Sequence, residues 1–343
     1  MIQLDTAFES CKGLQELFEP LSHDLVALQM SRGPLKGRLR IFHLGAIRFN
    51  LLETSQSLFL SGTRRPKPCT LAIPLDDPAA ESPYRAQGIP VPWPALMGYN
   101  RQLTDFDLRI PAGARLATIV IGKEALLEQL AQLGDSQCTL ERLESTNQLE
   151  LLPQLRQQLL LQLSSLTERA EQSWKPEEPD QLIDTLIRCF EQTQARTMPI
   201  AKREARHEAA IDLLQWCSRN PIKTFTVEEL SAELFLSRTS LFRGSQEHFE
   251  RTPLELQRSI RMDRVRQLLL EPTYRTSLGL TGVATSPHRW ASPAGATSLV
   301  AIGSNTGNTR KTHSPRACGL QIEQRSTNAW PVYVLTTTRA ISA

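Results

Sequence analysis

A chain of 343 residues is about twice the size of an ordinary single domain, so two folding units, each able to bury its own core, are expected. Lys and Arg number 39 against 36 for Asp and Glu, and the resulting net charge of +3 excludes recognition of a partner by the bulk field; any basic surface must be local. The six cysteines (Cys11, Cys69, Cys138, Cys189, Cys217, Cys318) never reach a CxxC or metal-knuckle spacing, no leader-like segment precedes them, and no run of about 18 apolar residues occurs, so buried reduced thiols, a cytoplasmic location and no membrane partner are expected.

From Leu39 to Ile121 the apolar residues alternate in short stretches: Leu39 and Ile41 with His43, then Ile47, Phe49 and Leu51, then Leu71, Ile73 and Leu75, then Phe106, Leu108 and Ile110. Period two marks strands. Gly33-Pro34, Gly45, Ser61-Gly62, Asp76 to Pro78 and Pro111 to Gly113 supply turns at the spacing of a small antiparallel sandwich or barrel. Residues 1–135 therefore read as a mostly β unit, closed by a helix from Lys123 to Leu133. His43 is the residue there that a ligand or metal pocket could use, although a metal needs several converging ligands and a lone histidine reads as structural. Asp105 and Asp107 read as turn and edge residues.

The period then changes. Leu152, Leu155, Leu159, Leu163 and Leu166 recur at three and four residues behind Pro153, and after a Pro-rich break Leu182, Ile183, Leu186, Ile187 and Phe190 form a second stripe. Residues 150–194 are thus a helical pair, packed as core or presented as a dimer seam, with core packing the preferred reading. Residues 195–202 read as a linker.

A helix carrying Ala210, Ile211, Leu214 and Cys217 ends near Asn220-Pro221. Thr226 opens the next helix with Glu229 three residues on, the spacing of a capping box. Ser237 caps a third helix over 238–249. Two short helices joined by Phe235-Leu236 and locked by Val227, Leu230, Leu234, Leu236 and Leu241 form a helix-turn-helix. In such a pair the second helix offers its first turns to the major groove, and Arg238, Thr239, Phe242 and Arg243 face outward there. Arginine can pair with the acceptor edge of guanine and Thr239 can touch a thymine methyl.

The run from Thr226 through Ser237 to Arg243, with His248-Phe249, Thr252-Pro253-Leu254 and Arg261 to Leu269, resembles the first helix-turn-helix and the linker helix of the AraC/XylS family. The resemblance implies double-stranded DNA as partner, base-reading roles for Thr239, Phe242 and Arg243, and a linker helix around Arg261; with the outward-facing Arg238 and the cap Ser237 these complete the expected DNA-binding set. The upstream β region is compatible with the cupin-like effector domain of such regulators. Phe235 and Glu250 stand where the family has turn glycines, and Ser245 where it has a core phenylalanine.

The family places a second helix-turn-helix after Leu270, and Leu280 to Ala284 begins one. From Thr285 to Ala343 the chain holds a single acidic residue, Glu323, and no sustained helical period. Joining the third base of each codon to the first two of the next, from Trp290 through Thr309, and choosing suitable synonymous codons, yields GFASRGHFARRYRQQYGEHP. This resembles the missing unit along its whole length, so a shifted frame near Ala284 and a low-order tail over 277–343 are expected.

The reading is an α+β protein: a mostly-β cupin-like N-terminal domain with added helices, an all-α DNA-binding domain over 203–276, and a disordered tail. Its expected function is transcription regulation by sequence-specific DNA binding, weakened by loss of the second unit. A small-molecule effector and a second copy of the chain are further candidate partners. The competing reading is an effector-binding or dimerising protein without productive DNA binding. No cofactor and no enzymatic activity are expected, because no nucleophile elbow, P-loop, dinucleotide fingerprint or His/carboxylate metal motif occurs.

Overall fold

The computed structural model describes residues 2–19, 24–64, 69–77, 83–133, 137–168, 175, 177–221, 223–270, 273, 276, 320–325 and 332–337. The first unit opens with β1 (Ile2–Phe8), α1 (Cys11–Phe18), β2 (Val26–Gln29), β3 (Gly37–Leu44), β4 (Ile47–Thr54), β5 (Leu58–Thr63) and β6 (Cys69–Pro74). Three short strands follow, β7 (Arg85–Ala86), β8 (Ile89–Pro90) and β9 (Ala95–Met97), then β10 (Asp105–Ile110) and β11 (Arg115–Ile121). Helices α2 (Lys123–Leu133) and α3 (Gln137–Ser145) lead to β12 (Gln148–Glu150), α4 (Pro153–Glu168), α5 (Glu178–Glu191) and β13 (Thr197–Met198).

Two antiparallel sheets result, an eight-stranded one in the order β1-β3-β4-β11-β6-β9-β12-β13 and a five-stranded one in the order β2-β5-β10-β7-β8. Strand alternation sorts the side chains into layers. Phe49 and Leu51 of β4, with Ala117, Ile119 and Ile121 of β11, join a core with Leu159, Leu163, Leu182, Leu186 and Phe190 of α4 and α5. Their neighbours Leu52 and Leu116 point the other way, into a core between the sheets shared with Leu58, Leu60, Leu108 and Ile110. The helical pair is therefore packed on the sheet.

Two expectations are corrected. Helices α1 and α3, which the periodicity did not mark, belong to the β-rich unit. The stretch expected as a linker donates β13, whose Thr197 and Met198 pair with Leu149 and Gln148 at the sheet edge. Edge strands of two or three residues are too short to carry a readable period.

The second unit is helical, with α6 (Ala205–Arg219), α7 (Val227–Glu233), α8 (Arg238–Phe249) and α9 (Pro253–Leu270). Its core, built from Ala210, Leu214, Leu230, Leu241, Phe249 and Leu256, continues into Val26, Leu28 and Phe59 on the outer face of the five-stranded sheet. Within the tail, β14 (Leu320–Arg325) and β15 (Val332–Thr337) pair antiparallel, which corrects the expectation of a wholly disordered tail at those residues. Residues 280–309, on which the shifted-frame expectation falls, lie outside the described residues.

Candidate nucleic-acid interface

Local hydrogen bonds set the two short helices. Glu229 N donates to Thr226 Oγ1 at 3.2 Å, while Thr226 N donates to Glu229 Oε2 at 2.8 Å, completing the capping box that opens α7. Ser240 N donates to Ser237 Oγ at 3.0 Å and caps α8. A second box stands at α9, where Thr252 N donates to Glu255 Oε2 at 2.8 Å and Glu255 N to Thr252 Oγ1 at 3.3 Å. Val227, Leu230, Leu241 and Phe249 are buried and fix the angle between the helices.

This leaves Ser237, Arg238, Thr239, Phe242 and Arg243 exposed together on the first turns of α8. Arg238 Nη1 reaches Glu228 Oε1 at 2.8 Å, an exposed pair that gives way at little cost. Arg261, expected on the linker helix, is buried within α9, and its Nη1 donates to Thr224 Oγ1 at 3.1 Å, bracing the segment that precedes α7.

The three departures noted in the sequence have structural counterparts. Phe235 and Glu250 both adopt left-handed backbone, with φ of 55° and 56°, where a side chain is strained and glycine is not. Phe235 is moreover 94% exposed. Ser245 is fully buried, and its hydroxyl donates to Arg251 O at 2.7 Å, so a hydrogen bond occupies the place of a phenyl ring. Beside it, Gly244 permits α8 to lie against α6, since a Cβ there would collide with the Arg206 carbonyl oxygen.

Sequence reasoning missed how the two units are joined. Asp105 and Asp107, read as turn and edge residues, hold Arg203: Nη1 donates to Asp105 Oδ2 at 2.6 Å, and Nε and Nη2 donate to Asp107 Oδ2 at 3.1 and 2.8 Å. Asp107 also accepts from Gly88 N at 3.0 Å, and His207 Nε2 lies 3.1 Å from it. Burial pushes the Asp107 carboxyl up, yet His207 and Arg203 more than offset this and hold it below the usual carboxylate range. His207 stacks edge-on against His248 of α8 at 4.2 Å between ring centroids. Burial first, then His207, lowers the His248 imidazole to about 4. Phe249 meets Phe59 edge-on at 5.1 Å, and Arg109 Nη2 lies 2.8 Å from Glu250 Oε1. The far end of α8 is thus gripped by β5 and β10 while its first turns stay open.

Between the sheets lies a cavity of about 170 Å³ with apolar walls that include Leu52, Leu60, Met97 and Leu116 and with Arg48, Asn50 and Arg64 among its polar groups. His43 is not among its lining residues. It pairs across the strands with Arg48, and burial first and Arg48 next hold its imidazole below 6.5. No group of three or more His, Cys, Asp or Glu suited to a metal occurs among the described residues, and no helix among them is long and apolar enough to cross a membrane.

No protein-family model matches the chain, and no curated protein matches it significantly. Among solved structures it is similar to the crystal structure of the AraC-like transcriptional activator CuxR, at 14% identity over 81% of this chain and 99% of that one, with a TM-score of 0.37. It is also similar to ToxT from Vibrio cholerae, at 13% identity over 79% of this chain and 96% of that one, with a TM-score of 0.24. At TM-scores this low, fold and function rest on the residues themselves.

Proposed function

We propose that the chain is a transcription regulator of the AraC type that reads the major groove of double-stranded DNA with α8, through Ser237, Arg238, Thr239, Phe242 and Arg243. The observation that carries this reading is the exposed row of those five side chains on a capped helix whose opposite face is buried against α6 and α7. A brace helix, a tight turn and an open N-terminal turn are the parts that groove entry requires. The cavity between the sheets supports a cupin-like effector domain, since about 170 Å³ accommodates a ring-sized ligand. The enzyme reading has no support of this kind.

The sequence beyond Ala284 supports a finer reading, in which a shifted frame has replaced the second helix-turn-helix. With one reading helix in place of two, every good base pairing that the second helix would have made is forgone, at about 1–3 kcal/mol of discrimination each. Binding by the chain as written is then weak and salt-sensitive. The test is fluorescence anisotropy on promoter fragments across a salt series, with the written chain, its Arg243→Ala variant, and a chain whose codons 290–310 are read in the alternative frame. Tight binding by the restored chain alone, weakened by Arg243→Ala, is the expected result. Specific nanomolar binding by the written chain would sink the frame reading, and indifference to Arg243→Ala in both chains would sink the groove reading. Loss of the second unit also favours an effector-binding or dimerising protein without productive DNA binding. That outcome shows as ligand binding or dimerisation with every fragment ignored.

A further inference from the structure

We infer that the cleft between the β-rich unit and helix α9 binds a small phosphate-bearing molecule. The cleft has a volume of about 460 Å³ and is lined by Ser31 and Arg32 from the first unit and by Arg251, Asp263, Arg264 and Arg266 from the second. Four arginines thus share one carboxylate, which feels the charges of Arg264 and Arg266 but spends both oxygens on backbone donors. Asp263 accepts the backbone N–H groups of Cys11 and Lys12, each at 3.0 Å, and so ties α9 to the start of α1.

Two of the arginines, Arg251 and Arg266, have a buried donor that is unmet among the described residues. Arg251 donates Nη2 to Met30 O at 3.3 Å, and its Nη1 is buried with no acceptor among the described residues. Arg266 donates Nη2 to Leu35 O at 3.5 Å, and its Nε is likewise buried with no acceptor among them. Neither of them, nor Arg32, has a carboxylate within ion-pair distance among the described residues. A buried N–H without an acceptor carries its full desolvation cost, and each of these guanidinium groups sheds it only by turning toward an anion bound in the cleft. Burial, the largest influence on Arg251, lowers its pKa, and the charges of Cys11, Glu250 and Glu255 offset this only in part.

Geometry selects the class of anion. The guanidinium groups come from three places, the β2–β3 connection, the α8–α9 turn and the body of α9. A planar carboxylate serves one guanidinium fork well, whereas a tetrahedral phosphate offers acceptors in several directions at once. The apolar flank, including Leu28 and Ile260, leaves room for an organic body beside the phosphate. A bound molecule would bridge both units next to the Asp263 contact and cement their docking.

The experiment is titration calorimetry on the full chain at constant ionic strength with pyrophosphate, adenosine 5′-monophosphate and adenosine. Saturable binding of either phosphate with adenosine silent is expected; pyrophosphate alone points to free phosphate, and the monophosphate alone to a phosphorylated organic molecule. Arg251→Gln and Arg266→Gln should each weaken binding about tenfold or more, the range for a charged hydrogen bond. Arg32→Gln, on an exposed residue, is the variant that keeps its fold if the other two do not, and it too should weaken binding. Absence of saturable binding by the folded chain overturns the inference, as does equal binding of adenosine or affinity unchanged in all three variants. Displacement of the phosphate ligand by duplex DNA with the same arginine dependence would overturn it too, assigning the cleft to the DNA path.

Discussion

Replacing Arg203 by methionine should destabilise the docked protein by about 3 kcal/mol, because it strands a buried carboxylate. Asp107 is 1% exposed and Arg203 14% exposed, so both charges have left water and depend on each other. Breaking a buried pair from one side costs about 3–5 kcal/mol. The low end applies here, since Asp107 keeps the Gly88 N–H and the neighbouring His207 ring. Asp107→Asn should cost less, about 2 kcal/mol, because Arg203 retains Asp105 at 2.6 Å. The double variant should cost about 3 kcal/mol and not 5, a coupling of about 2 kcal/mol. Urea unfolding at pH 7, followed by circular dichroism and tryptophan fluorescence, measures all four corners of the cycle. Because the folded pKa of Asp107 lies below its ordinary 3.8, its contribution is present near neutral pH and is lost as the pH falls below that value. Arg203→Met should therefore flatten the acid limb of the stability curve. Single-variant costs that simply add, within about 0.5 kcal/mol, would refute the reasoning and reduce the contact to independent surface charges.

Three further outcomes follow from the same geometry. Phe235→Gly should raise stability by about 1 kcal/mol by relieving left-handed strain, with no packing sacrificed by a side chain that faces solvent; a lower urea midpoint would contradict this. Gly244→Ala should cost about 2 kcal/mol or more, since α8 must move off the Arg206 carbonyl, and thermal unfolding measures it. His248, lowered to about 4, stays neutral in the folded chain where the unfolded imidazole, near 6.5, already takes a proton. The unfolded state then binds more protons, so stability should fall as the pH drops from 6.5 toward 4, by about 1 kcal/mol after solvent screening of a half-exposed ring. A urea midpoint in His248→Gln that shifts with pH as much as in the parent would count against that origin.

What the sequence made legible was local. Thr226 with Glu229 is a signal three residues apart and Ser237 a single capping residue, and the start of α8 read from that cap matches the structure. Period two found β3, β4, β6 and β10, whereas β1 and β5, with seven and six residues, escaped it, and Ser61-Gly62, expected as a turn, lies inside β5 where small side chains break the apolar alternation. The same rule failed at β12 and β13, which have three and two. Helix α1 escaped because its eight residues include Gly13, a weak helix former, and its cap is the single residue Ser10. The strained positions Phe235 and Glu250 were marked in advance only by the glycines that the family resemblance leads one to expect. Arg203 and Asp107 are 96 residues apart, and Asp263 is 252 from Cys11, so neither pairing leaves a local trace. The docking face, and the arginine cleft beside it, come from tertiary packing alone.

That docking bears on how a small change in the β unit could reach the exposed first turn of α8. Helix α8 is held at its C-terminal end by Phe59, by the His207–Asp107 contact and by Arg109, and it runs as one helix from there to Ser237. Asp107 and Gln87 also line the cavity between the sheets, so a ligand there touches the residues that hold Arg203. A ligand can shift the equilibrium between docked and released arrangements only by the difference in its affinity for them. About 3 kcal/mol resting on the Arg203 contact sets the scale: a ligand that weakens it fully would change the docked population by roughly two orders of magnitude. A ligand that fills the cavity and leaves Asp107 untouched would change nothing through this route. The double-mutant coupling, measured with and without a bound ligand, separates the two cases, because only in the first does the coupling fall.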